Sequence, residues 1–216
     1  MSYELMVFLS YSILPAVVAG FLRFKKVDKT YLPMLICLAT GLINEVISTV
    51  VVWQGESNAV NNNVFYLIES QLLLWQFKCW NLYSDNKIML TMLQAAFLVF
   101  WCWQNRGLQK VQSFEPWFRS VTGVAIVIMC ILTSNKLVIS YDGRLWQSSC
   151  FLFCWGMILY FSTVIVIEVF LYLNTTLNSR LLDAIFKAGI TVNVLANLLY
   201  FIAVLWIPPK ARFILQ

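Results

Sequence analysis

Residues 162–173 read STVIVIEVFLYL, a continuous apolar stretch interrupted by one glutamate, Glu168. A lipid-crossing β-strand would alternate apolar and polar residues over segments of about 10 residues. This stretch does not alternate, and neither do AVVAGFL at 16–22 or VTGVAIVIMCIL at 121–132. With no water available to satisfy the backbone, an apolar stretch that is not part of a barrel must be helical.

Composition extends that local reading to the whole chain. Of 216 residues, 61% are hydrophobic, 16% aromatic and only 12% charged, against roughly 45–50% apolar and 25% charged in ordinary soluble domains. The expected fold class is an all-α membrane protein, a single seven-transmembrane-helix bundle over residues 1–216. Its spans are expected near 5–22, 31–53, 62–83, 88–103, 115–134, 147–173 and 183–207, since each needs about 20 apolar residues. Pro33 and Pro116 fit first turns, Pro208 and Pro209 fit a helix stop, and Pro15 predicts a kink in the first span. MSYELMVFLSYSILP at 1–15 lacks a basic leader and carries Glu4, so the first helix is expected to be retained.

Seven spans place Arg23, Lys25, Lys26, Lys29, Lys78, Lys87, Lys136, Arg144, Lys210 and Arg212 on one side. Arg106, Lys110, Arg119, Arg180 and Lys187 fall on the other. This bias of ten to five sets the N-terminus outside and the C-terminus in the cytoplasm. Trp53, Trp80, Trp101, Trp103, Trp117, Trp146 and Trp206 fall near proposed helix ends, where amphipathic rings meet the headgroups. The net charge of +5 is concentrated in RFKK at 23–26, which anionic membrane lipids neutralise without a nucleic-acid partner. Nothing in the pattern opposes a homo-oligomer.

No histidine is present, which removes the commonest metal ligand and haem anchor. Cys37, Cys79, Cys102, Cys130, Cys150 and Cys154 lie in apolar spans and read as small buried hydrophobes. No cofactor and no metal are expected. Asn174-Thr175-Thr176 is a formal glycosylation acceptor on the expected outer side.

The functional signal is charge placed inside the spans. A charge at mid-bilayer costs at least about 2.5–3.5 kcal/mol, so Glu45, Glu69 and Glu168 should face the bundle interior. Counted from the expected helix ends, all three fall in the outer half, at the level of Arg119 and Lys187. Helical spacing adds Asn62, Tyr66 and Gln76 to the stripe of Glu69, Asn44 to the face of Glu45, and Asn193 and Asn197 to the seventh span. Pairing of Glu45 or Glu69 with Arg119 or Lys187 would lower the cost of burial; alternatively, one carboxyl stays protonated. The opposing interpretation is that these groups merely join helices, since interhelical hydrogen bonds contribute about 0.6 kcal/mol each on average.

Three functions follow as expectations. The first is a sensor, receptor-like protein or transporter that binds a small charged or zwitterionic ligand in an outward-facing polar pocket. The second is an intramembrane lipid-modifying enzyme in which Glu45 and Glu69 act as general acid and base, although no nucleophile or metal set accompanies them. The third rests on LLDAIFKAG at 181–189, whose Asp183 and Lys187 resemble the Asp-x-x-x-Lys of microbial rhodopsins. That resemblance implies retinal bound to Lys187 with Asp183 as counterion. It departs from the family in the third span, which lacks the expected arginine and aspartates, and in the position of Lys187 near the outer helix end.

FLRFKKVDKTYLP (21–33), SNAVNNNVFYLIESQLLLWQFKCWNLY (57–83) and LWIPPKARF (205–213) resemble a family of bacterial seven-transmembrane-helix integral membrane proteins. This resemblance implies a bacterial inner membrane and no particular chemistry.

Overall fold

The computed structural model describes residues 3–80, 87–106, 116–140, 143–173 and 179–209. Among these residues the chain is helical throughout, apart from short turns and one isolated bridge between Val27 and Pro209. The helices are α1 (Tyr3–Ser10), α2 (Leu14–Arg23), α3 (Leu32–Trp53), α4 (Ala59–Cys79), α5 (Lys87–Gln104), α6 (Pro116–Ser140), α7 (Ser149–Leu173) and α8 (Ser179–Leu205).

Between α1 and α2 the chain tightens into a 3-10 turn at Tyr11–Ile13. Pro15 follows at once and has no N–H to return to the preceding turn, so the expected kink is a local tightening rather than a break. Pro33 sits in the first turn of α3 and Pro116 opens α6, positions where the missing donor is harmless. α6 runs six residues past its expected end at 134, carrying Lys136 and Ser140 on a final exposed turn.

Among the described residues, five helical segments are long and apolar enough to cross a membrane: Glu4–Arg23, which joins α1 and α2, Lys29–Trp53, Trp117–Ser140, Ser149–Phe170 and Asp183–Leu205. The protein is therefore a multi-pass membrane protein. Two expected spans fall short of that standard for different reasons. The apolar part of α5, Ile88–Gln104, is short, while α4 has the length but carries three asparagines, a glutamate, two glutamines and a lysine.

The helices close into a ring in which α2 packs on α3, α3 on α4, α4 on α6, α6 on α7, α7 on α8 and α8 back on α2; α5 bridges α4 and α6. At the closing seam Arg23 binds the end of α8. Its Nη1 donates to the Val204 carbonyl at 2.6 Å and also to that of Leu205, and Nη2 donates to Ile207 at 3.1 Å. A guanidinium there satisfies carbonyls that have no helical partner and opposes the negative end of the helix dipole.

Candidate functional site

Two adjoining, partly open cavities lie among α3, α4, α6, α7 and α8. The deeper, of about 70 Å³, is lined by Glu45 and Gly41 of α3, Glu69 and Phe65 of α4, Tyr160 of α7, and Asn193, Asn197 and Tyr200 of α8, among others. The larger, of about 310 Å³, is lined by Arg119 of α6, Glu168 and Ile167 of α7, Phe186 and Ile190 of α8, and again Glu45. Ser10, Glu45, Tyr160 and Asn193 belong to both walls and mark the passage between them.

Arg119 organises the larger chamber. Its Nη1 donates to Glu168 Oε1 at 3.0 Å and its Nη2 to the Tyr160 hydroxyl at 3.0 Å. The guanidinium carbon lies 4.2 Å from the Tyr66 ring centroid, within the range of a cation–π contact. Ser120 donates to the other Glu168 oxygen at 3.4 Å. Three helices thus converge on one cation, and only its buried Nε lacks a partner.

Glu69 and Asn193 accept and donate no hydrogen bond to protein groups among the described residues, and both line the deep cavity. Tyr200 is only 8% exposed, and among the described residues no hydrogen bond engages its hydroxyl. Its ring is held against Phe153 at 5.0 Å between centroids and against the backbone at Gly156, where a Cβ would stand 2.5 Å from the ring. Glycine at 156 is therefore what lets the phenol lie along α7.

Other residues expected at the site are placed differently. Asn44 donates to Asn62 Oδ1 at 3.1 Å, and Asn61 donates to Asn44 Oδ1 at 2.7 Å and to Ser48 at 3.0 Å. This network joins α3 to α4 and lies outside both cavity walls. Gln76 is wholly buried; it accepts from the Met34 N–H at 2.7 Å and donates to the Thr30 carbonyl at 2.8 Å. It staples α4 to the start of α3, where a helical N–H has no partner of its own.

Lys187 is half-exposed and pairs with Asp183 one turn away at 2.5 Å. It lines neither cavity, because it lies about 120° around α8 from Asn193 at 3.6 residues per turn. The Asp-x-x-x-Lys pair thus sits away from both cavities. Tyr66 reaches the site by its ring, beneath Arg119. Asn197 lines the deep cavity but also donates to Ser12 at 2.8 Å.

Sequence spacing did not single out Tyr160 or Ser10. Tyr160 was within reach of such reasoning, since it precedes Glu168 by eight residues, on the same helical face. Among the cysteines, Cys37, Cys130, Cys150 and Cys154 are buried, and Cys102 is exposed. No group able to hold a metal occurs among the described residues. The Asn174-Thr175-Thr176 acceptor lies outside the described residues, as do Lys110, Lys210 and Arg212 of the charge count.

No family model, curated protein or solved structure matches the chain.

Proposed function

We propose that the protein binds a small charged or zwitterionic ligand in a polar pocket in the outer half of a seven-span bundle, and acts as a receptor or transporter in a bacterial inner membrane. The observation that carries this is the pair of adjoining cavities onto which Glu45, Glu69, Glu168, Arg119 and Asn193 converge from five helices. Ionisable groups inside a membrane mark binding sites or pathways by default.

The seven-span count is supported by the way α4 divides its faces. Val60, Val64, Ile68 and Trp75 form an exposed apolar stripe. Asn61, Asn62, Gln71, Gln76 and Lys78 are bonded to α3, α5 or the turn before α3. A helix whose polar tips are satisfied by its neighbours can cross lipid despite its composition. The basic residues Arg23, Lys25, Lys26 and Lys29 gather where α8 ends, which supports a cytoplasmic C-terminus.

The test is access. In a chain with Cys102→Ser, Asn193→Cys should react with a membrane-impermeant thiol reagent added to the outer face of intact spheroplasts. Reagent added only to the inner face of inverted vesicles should leave it unmodified. A thiol at 193 that stays unreactive from both sides would sink the pocket.

A further inference from the structure

On the strength of that pocket, we propose a ligand class: a small organic ammonium ion whose charged head sits in the deep cavity beside Glu69 and whose apolar substituent occupies the larger chamber. Charge balance is the first argument. The two chambers hold three carboxyl groups and one guanidinium, and that guanidinium is already committed to Glu168, Tyr160 and the Tyr66 ring. An incoming carboxylate would have to displace Glu168 to reach Arg119. An incoming cation finds Glu69 with no hydrogen-bonded partner among the described residues and Glu45 on the adjoining wall.

The walls supply the second argument. Phe65, Phe153, Phe161, Tyr160 and Tyr200 surround the deep cavity, and aromatic faces next to a carboxylate are the chemistry that recognises alkylammonium groups. Tyr200 lines the cavity, and its hydroxyl has no hydrogen-bond partner among the described residues, so it is able to accept a hydrogen bond from an ammonium N–H.

Size divides the ligand between the chambers. At about 70 Å³ the deep cavity has about half the volume of the roughly 150 Å³ cavity that takes up benzene, so it admits a head group and little more. The chamber of about 310 Å³ offers Val164, Ile167, Phe186, Ile190 and Val192 to the remainder.

The experiment uses the purified full-length protein in nanodiscs at pH 7 and constant ionic strength, titrated with butylammonium, tetramethylammonium, butyrate, 4-aminobutyrate and sodium ion. Butylammonium should bind, and butyrate should not. Glu69→Gln should weaken butylammonium by about ten- to a hundredfold, the effect of losing a bond to a charged group. Tyr200→Phe, which preserves the ring, should weaken it by a smaller factor. Butylammonium should also slow the labelling of Asn193→Cys.

If butyrate or 4-aminobutyrate binds tightest, or if sodium ion matches butylammonium, the inference is overturned while a reactive cysteine at 193 keeps the pocket itself. If Asn193→Cys never reacts, both fall. Should Glu69→Gln not fold, unchanged butylammonium affinity in Tyr200→Phe together with no protection at position 193 overturns the ligand class alone.

Discussion

Arg119 and Glu168 meet at 3.0 Å across the α6–α7 interface, with 18% and 15% of their side chains exposed. The same guanidinium lies over Tyr66, so the ion pair also fixes α4 to the α6–α7 pair. Removing one partner leaves the other charge inside the bundle. Glu168→Leu is expected to destabilise by about 3 kcal/mol, toward the low end for buried pairs because both groups keep some exposure. Arg119→Met with Glu168→Leu should recover much of that loss, as read from thermal unfolding in detergent. A double variant less stable than Glu168→Leu alone would show that the pair does more than neutralise itself.

Gly156 and Gly189 make opposite predictions from similar crowding. At Gly156 an added methyl meets the Tyr200 ring, which Phe153 holds from the other side, so Gly156→Ala should cost about 1–3 kcal/mol through overpacking. At Gly189 the obstacle, 2.8 Å from the added carbon, is the terminal methyl of Ile167, which can rotate away. There the gain in helix propensity, about 1 kcal/mol, should offset the contact. Thermal unfolding of the two variants side by side distinguishes them.

Gln76 holds two backbone groups at once. Gln76→Leu would leave the Met34 N–H and the Thr30 carbonyl unpaired, and each such group costs about 1–3 kcal/mol. A total loss of about 3 kcal/mol is expected in unfolding by denaturant, with unchanged reactivity of Asn193→Cys in the same background. A change in that reactivity would return Gln76 to the site.

Asp28, in the turn before α3, accepts from the Thr30 N–H and hydroxyl, both at 2.8 Å. These bonds, the backbone one foremost, hold its carboxyl below the usual carboxylate range. A depressed value in the fold means a contribution that is complete above the unfolded value of about 3.9 and disappears as pH falls through the folded one. The gap in melting temperature between the parent chain and Asp28→Ala should therefore be flat from pH 7 to about 5 and close below about 4. A gap that persists at low pH would assign the effect to helix capping without charge.

The sequence carried the helical membrane architecture because continuous apolar runs have few physical solutions. It anticipated that Glu45, Glu69, Glu168 and Arg119 share a level of the bundle because position along a span can be counted. It could not separate a side chain that faces a cavity from one that faces a neighbouring helix. Asn62 and Gln76 lie on the same stripe as Glu69, yet they are consumed by Asn44 and Met34, and those pairings exist only once α3 lies beside α4. Lys187 shows the complementary gap, since equal depth says nothing about azimuth. The end of α6 was missed because Asn135 and Lys136 look like a loop, although an exposed terminal turn tolerates both.

The Arg23 latch on α8 has a consequence for biogenesis. Its three carbonyl acceptors belong to residues 204–207, made some 180 residues after the arginine itself. A chain that ends ahead of Val204 lacks all three acceptors, so its seam between α2 and α8 would rest on side-chain packing alone.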